Sequence, residues 1–236
     1  MNPRLRGLYF VTPEASIGRA ERVAAALRGG ARIVQYRDKS GNSAERLREA
    51  RHLLQQCRRA GAVFIVNDDV ELCAELGADG VHLGEDDADI AEARARLGPH
   101  CLIGASCYND LDRARRAVAA GADYVAFGAF HPSPTKPQAR RADLSLLQAA
   151  RAELDVPICA IGGITPENAA PIVTAGADMI AVIQGIADAP DPEAAARALQ
   201  SIFVDSPITA HGVGLGPEHG SGRDPTDCRR SQSREG

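Results

Sequence analysis

Long apolar runs are missing from this 236-residue chain. No stretch approaches the roughly 18 consecutive apolar residues that a membrane-spanning helix requires, which excludes a helical span. The opening residues, Met1-Asn2-Pro3-Arg4-Leu5-Arg6, run straight into a strand-like pattern, with neither the apolar stretch nor the cleavage site of a secretory leader. The six cysteines (57, 73, 101, 107, 159 and 228) form no CxxC pair and no spaced cluster with histidine. Neither a zinc site nor a disulfide framework is therefore expected, and reduced thiols point to the cytoplasm. A basic excess is absent as well. The net charge of −4 argues against a nucleic-acid surface. Aromatic residues make up only 4%, and tryptophan does not occur.

Lysine is the scarcest charged residue. Of 27 basic residues only Lys39 and Lys136 are lysines. In a chain that uses arginine almost everywhere, a remaining lysine is either retained by chance or kept where arginine will not serve. A compact point charge and a broad planar fork are distinguishable in a tight phosphate site. What is present, 44% hydrophobic and 25% charged residues, describes one ordinary soluble domain or two small ones. Single α/β barrels are usually of roughly this size, about 250 residues.

An internal repeat points to the architecture. Gly-Ala followed by an apolar strand occurs at Gly30-Ala31, Gly77-Ala78, Gly121-Ala122 and Gly176-Ala177, each after an alanine-rich helical stretch. Glycine there closes the helix in the left-handed conformation. Four other apolar runs, Leu8–Val11, Val63–Val66, Leu102–Ala105 and Pro157–Ile161, alternate with these units. Eight strands alternating with helices predict an α/β fold, a single compact (β/α)8 TIM barrel over residues 1–204, with a doubly wound open sheet as the alternative. Thr165-Pro166 and Asp191-Pro192 read as helix starts, with Asn109 and Ser43 as further caps. Residues 205–236 hold glycine, proline, serine and charge with few large apolar groups, the composition of a disordered tail.

In such a barrel the chemistry is built at the C-terminal ends of the strands. Those ends carry Gln35-Tyr36-Arg37-Asp38-Lys39, Asn67-Asp68-Asp69, His82 through Asp87, Ser106, Pro132 through Pro137, Gly162-Gly163 and Ile183-Gln184-Gly185. Both lysines fall on this face. Arg37, Lys39 and Lys136 are cations, and Ser106, Ser133 and Thr135 are hydroxyl donors. Gly162-Gly163 and the Thr165 helix start add close backbone approach and a positive helix end, a set suited to phosphate. Asp68 and Asp87 offer two hard oxygen ligands for Mg²⁺, with diphosphate and water completing the octahedron. Acidic runs also cap helices, however. His82 reads as a packed histidine, His131 as a loop histidine nearer the site, and the cysteines as core fillers. Arg22, Arg46 and Arg113 read as solvated helix faces.

Six of these stretches in order resemble the thiamine-phosphate synthase family: Gln35–Lys39, Val66–Asp69, Gly80–Asp87, Gly104–Ser106, Pro132–Lys136 and Ala160–Ile164. The resemblance covers about residues 7–203. It implies condensation of 4-amino-5-hydroxymethyl-2-methylpyrimidine diphosphate with 4-methyl-5-(2-phosphoethyl)thiazole, giving thiamine monophosphate and pyrophosphate. It places Gln35, Arg37, Lys39, Asn67, Ser106 and Lys136 on the pyrimidine diphosphate, with Tyr36, Asp38 and Pro134 among the lining residues. It places Asp68 and Asp87 on Mg²⁺, and Ser133, Thr135, Gly163, Ile183 and Gln184 at the thiazole phosphate. Arg37, Lys39, Ser106 and Lys136 would carry catalysis. Two positions depart from the pattern: Gln184 stands where a small serine-like residue is expected, and Glu85 stands in place of glutamine. The partners implied are small molecules, with neither nucleic acid nor membrane, and a homo-oligomer is left open. The competing expectations are a thiazole tautomerase using His131, a non-catalytic phosphate-ligand sensor and an unrelated phosphosugar isomerase barrel.

Overall fold

The computed structural model describes residues 3–14, 18–132 and 140–205. The strands are β1 (Gly7–Val11), β2 (Ile33–Tyr36), β3 (Val63–Asn67), β4 (Gly80–Leu83), β5 (Leu102–Tyr108), β6 (Tyr124–Gly128), β7 (Ile158–Ile161) and β8 (Met179–Val182). They close into one barrel in sequence order. The parallel pairing of β1 with β8, at Leu8 and Ile180, decides against the open sheet. Helices α1 (Arg19–Arg28), α2 (Ser43–Ala60), α3 (Val70–Leu76), α4 (Ile90–Leu97), α5 (Leu111–Ala119), α6 (Leu144–Glu153) and α7 (Ala169–Thr174) fill the crossovers. After β8 come α8 (Gln184–Ala187) and α9 (Pro192–Asp205). The last helix thus passes the expected boundary at 204 by one residue, and the rest of the expected tail lies outside the described residues. No described helix is long and apolar enough to cross a membrane.

The strands read as apolar runs because both their faces are covered. Tyr9, Val11, Ile33, Ile65, Leu102 and Met179 fill the barrel interior. Leu8, Phe10, Val34, Tyr36, Phe64 and Val66 pack beneath the helices. Four cysteines, Cys57, Cys73, Cys107 and Cys159, are buried as expected of small core residues.

The Gly-Ala repeat has a structural role at the N-terminal end of the barrel. In three copies the next residue is aspartate, and its carboxylate accepts a backbone N–H from the preceding strand. Asp79 accepts from Phe64, Asp123 from Ile103 and Asp178 from Ile158. Each carboxylate also pairs with an arginine: Arg4, Arg94 and Arg151 respectively. In the first copy the residue is Arg32, and Gln200 of α9 supplies the missing acceptor to the Leu8 N–H at 2.8 Å. These bonds satisfy strand N–H groups that would otherwise be buried alone. Asp178→Ala is therefore expected to lower unfolding free energy by about 1–3 kcal/mol, read from urea titration. An unchanged midpoint would contradict this assignment.

Helix starts differ from the sequence reading by small, explicable amounts. The cap of α2 is Asn42, which accepts from the Glu45 N–H, and not Ser43, which lies inside the helix. The cap of α5 is Asp110, because its carboxylate accepts from Arg113 while the Asn109 amide turns to the Arg141 carbonyl. A charged acceptor outcompetes an amide at the positive end of a helix. Asp191 does cap its helix, accepting from Ala194. Thr165 does not begin α7. It opens a turn clamped by Asn168, whose side chain accepts from the Thr165 N–H and donates to the Gly163 carbonyl.

Candidate active site

A cavity of about 190 Å³ opens at the C-terminal mouth of the barrel. Tyr9, Gln35, Arg37, Asn67, His82 and Ser106 give it polar walls, and Val11, Ile161 and Ile183 apolar ones. Outside it lies a wider groove of about 670 Å³ that includes Lys39, Arg46 and Asp68 and shares Asn67 with the cavity. The structure thus brings together Gln35, Arg37, Lys39, Asn67, Asp68, Ser106 and Ile183 around one continuous opening. Ser133, Pro134, Thr135 and Lys136 lie outside the described residues. The ends of their loop are described, and both are pinned at the mouth. Ala129 donates to the Arg140 carbonyl at 3.0 Å, Ala142 donates to the Ala129 carbonyl, and His131 donates to the Gly162 carbonyl.

Asp68 and Asp87 come together from the ends of β3 and the loop after β4. Burial, and then the Asp87 carboxyl beside it, raise the Asp68 carboxyl above the ordinary range, against the pull of Lys39. The Lys39 Nζ stands 3.5 Å from Asp68. Asp87 is held in place by the Gly84 N–H at 2.6 Å. Asp68 adopts a φ of 63°, a conformation disfavoured for a residue with a side chain and found where a site imposes it. Two carboxylates held against one another invite a cation. Among the described residues no third acidic, histidine or cysteine ligand joins them.

The loop after β2 splits into two roles. Gln35 and Arg37 face the cavity, and alternation along the strand turns Tyr36 the other way. Tyr36 is buried in the helix layer, with its hydroxyl 3.0 Å from Asp38 and 3.1 Å from Glu49. Asp38 bonds the Ser40 N–H and faces the buried Arg19 guanidinium at 3.7 Å. Arg19 also pairs with Glu49 and lies over the Tyr36 ring. Tyr36 does not line the cavity, and Asp38 lines the outer groove rather than the cavity. They anchor the loop that presents Arg37 and Lys39. Tyr36→Phe is expected to cost about 1 kcal/mol of stability, the value of one side-chain hydrogen bond. Its turnover should stay near that of the native chain. A loss of turnover comparable to that of Arg37→Ala would show substrate contact instead.

Gly162 and Gly163 are required first by packing. Both have positive φ, and a Cβ on Gly163 would sit 2.4 Å from the Pro132 carbonyl. The pair seats the loop after β6 against the end of β7. The expected helix end at Thr165 is not there, because the intervening turn delays α7 to Ala169. The Arg46 and Arg113 side chains are not simply solvated. Arg46 pairs with Asp69 at 2.9 Å. Arg113 donates through Nε to the Ser106 carbonyl at 2.8 Å and lies over the Tyr108 ring. Arg22 likewise donates to the Ala187 carbonyl.

The floor of the cavity carries residues that the sequence reading missed or set aside. Gln35 Nε2 donates to the Tyr9 hydroxyl at 2.8 Å, and the Tyr9 and Tyr124 hydroxyls meet at 2.9 Å. His82 Nδ1 lies 3.0 Å from the Tyr124 hydroxyl, and its Nε2 lies 2.9 Å from Ser106 Oγ. Burial pushes His82 down to about 4, so its ring is neutral at pH 7. Burial also raises both tyrosines, keeping them protonated. Gly104 makes room for this chain, since a Cβ there would lie 2.1 Å from Tyr124 Cζ.

The chain is similar to known proteins in sequence and in fold. A family model described as thiamine monophosphate synthase matches residues 8–186. The chain is 58% identical over 205 residues to the thiamine-phosphate synthase of Chromobacterium violaceum, covering 86% of this chain and 99% of that one. It is 56% identical over 203 residues to that of Thioalkalivibrio sulfidiphilus, covering 85% and 96%. The chain belongs to the thiamine monophosphate synthase family. It is an enzyme, a transferase. The solved thiamine phosphate pyrophosphorylase from Pyrococcus furiosus superimposes with a TM-score of 0.80 at 35% identity, covering 86% of this chain and 98% of that one. A 3-hexulose-6-phosphate synthase, at 20% identity and a TM-score of 0.64, shares the fold alone.

The two positions expected to depart from the thiamine monophosphate synthase pattern have distinct surroundings. Glu85, exposed at the rim, is 3.5 Å from the Arg113 guanidinium, which offsets its added charge. Gln184 is the first residue of α8 and is half-buried beside Ile183.

Proposed function

We propose that this chain joins 4-amino-5-hydroxymethyl-2-methylpyrimidine diphosphate to 4-methyl-5-(2-phosphoethyl)thiazole, forming thiamine monophosphate and pyrophosphate. One observation carries the reading: a small, partly apolar cavity with a hydrogen-bonding floor and Arg37 in its wall adjoins, at Asn67, a groove bearing Lys39 and Asp68, with Asp87 beside Asp68. The cavity suits an aminopyrimidine ring, and the rim suits its diphosphate.

In the reaction the bond between the exocyclic carbon and the diphosphate oxygen breaks. A bond from the thiazole nitrogen to that carbon forms. The 4-amino group of the pyrimidine delocalises positive charge onto the ring, so the diphosphate departs before the thiazole attacks. No covalent nucleophile is needed. Arg37, Lys39, Lys136 and the Ser106 hydroxyl bind the departing oxygens where negative charge grows, the arrangement that lowers such barriers most. The closed barrel floor excludes water from the carbocation-like centre. Asn67, on both cavity and groove, orients the diphosphate across them. Gly163, Ile183 and Gln184, with Ser133 and Thr135, form the thiazole phosphate side.

The Asp68/Asp87 pair fits Mg²⁺, because two facing carboxylates leave most of an octahedron for phosphate oxygens and water. When bound, the ion neutralises charge on the leaving diphosphate. The tautomerase alternative is less well supported, because its histidine, His131, does not line the cavity and has its backbone N–H on the Gly162 carbonyl. His82, which does line it, is buried, neutral and hydrogen-bonded through both ring nitrogens. Supplying this chain to a bacterial strain that needs thiamine for lack of this step is expected to restore growth without thiamine. No growth despite folded, expressed protein would contradict the proposal.

A further inference from the structure

The polar chain beneath the cavity has a direction, and its direction decides what Ser106 can do. Each hydroxyl holds one proton. Gln35 Nε2 gives its proton to Tyr9. Run head to tail from there, Tyr9 gives its own to Tyr124 and Tyr124 gives its own to His82 Nδ1, a direction that the 2.9 and 3.0 Å contacts fit. In that direction His82 Nδ1 is an acceptor, and the ring proton sits on Nε2. That proton points at Ser106 Oγ. The serine hydroxyl has its inner lone pair occupied, so its proton is left for the cavity. Phosphate oxygens only accept hydrogen bonds, and a serine presented this way donates to them.

The opposite polarity gives the opposite site. If the Gln35 carbonyl faced Tyr9, every proton in the chain would turn around. Ser106 would give its proton to His82 and show lone pairs to an anion. The packing leaves little freedom for the groups to move otherwise. The Tyr9 and Tyr124 rings meet edge to face at 6.2 Å, and the His82 ring lies 5.5 Å from Tyr124. The Ser106 backbone is held from outside by the Arg113 guanidinium.

We propose that His82 is a positioning residue, held as its Nε2–H tautomer by the Gln35–Tyr9–Tyr124 chain, and that it turns the Ser106 hydroxyl into a donor aimed at the leaving diphosphate. This rests on the function proposed above. His82 touches no reacting atom. It acts through Ser106, and Gln35 sets the polarity from five strands' worth of side chains brought together only by barrel closure.

The test combines spectroscopy and kinetics on the full chain. Nitrogen-15 NMR of labelled histidine, with the His82 signal assigned by its loss in His82→Gln, is expected to show the Nε2–H tautomer. Gln35→Glu, whose carboxylate only accepts, is expected to shift His82 to Nδ1–H and lower kcat about tenfold or more, the scale for losing an orienting partner. KM for the thiazole phosphate should stay nearly constant. His82→Gln, which keeps a donor at the ε position, should retain more activity than His82→Asn. Combined with Ser106→Ala, His82→Asn should cost nothing further. An Nδ1–H tautomer in a native chain that makes product overturns this inference alone. So does a His82→Asn loss that is the same with and without Ser106. Absence of thiamine monophosphate from the native chain overturns the parent reading and this one together.

Discussion

Lys136→Ala lowers turnover by about 100-fold or more, the scale for removing one preorganised charge from a developing anion. The expectation rests on composition and on position. Only two lysines remain among 27 basic residues; Lys39 lines the groove at the barrel mouth, and Lys136 lies in the sequence between the described Pro132 and Arg140. The loop that carries Lys136 leaves and re-enters the fold at Ala129 and Ala142, whose hydrogen bonds pin it at the mouth beside Gly162. Lys136→Arg should recover only part of the loss, because a planar fork does not replace a compact ammonium in a tight phosphate site. The same holds for Lys39, whose Nζ lies beside Asp68. Steady-state kcat at saturating substrates is the readout. Near-normal turnover in Lys136→Ala would remove it from the leaving-group cradle.

Asp68→Asn is expected to separate activity from stability. Activity falls by about 10–100-fold, as for losing one of few oxygen ligands, and added Mg²⁺ restores part of it. Stability of the metal-free chain does not fall and rises if anything. The substitution relieves the repulsion between the Asp68 and Asp87 carboxylates. Asparagine also tolerates the left-handed φ of 63° at this position at least as well as aspartate does. Thermal melts in chelator, beside activity in Mg²⁺, measure both sides. A destabilised chain with full activity would show that the pair is structural and holds no ion.

The barrel was legible because its punctuation is local. Each Gly-Ala closes a helix and opens a buried strand, and four such units alternating with four other apolar runs leave few topologies. The aspartate that follows three of the glycines was visible as part of the repeat. Its partner N–H groups lie a strand away and were not. Helix caps were displaced by one residue where two polar residues compete, as at Asn42–Ser43 and Asn109–Asp110, because the stronger acceptor is a tertiary outcome.

The site was legible where residues lie on consecutive strand ends, and less so where direction mattered. Strand alternation sends Tyr36 into the helix layer while Gln35 and Arg37 face the mouth, a period-two signal hidden when both faces are apolar. Arg113 resembled a surface arginine until its helix was seen against the end of β5. Tyr9 and Tyr124 were the least accessible to sequence reading. They are separated by 115 residues, and only closure of the barrel brings their hydroxyls within 2.9 Å.

The central claim is tested most directly by measuring pyrophosphate and thiamine monophosphate in the same tubes, from purified chain with the pyrimidine diphosphate and the thiazole phosphate. The account predicts both products in equal amounts, only when both substrates are present, and lost when Mg²⁺ is chelated. Pyrophosphate release without thiamine monophosphate, or no product from a folded chain that binds the thiazole phosphate, would contradict it.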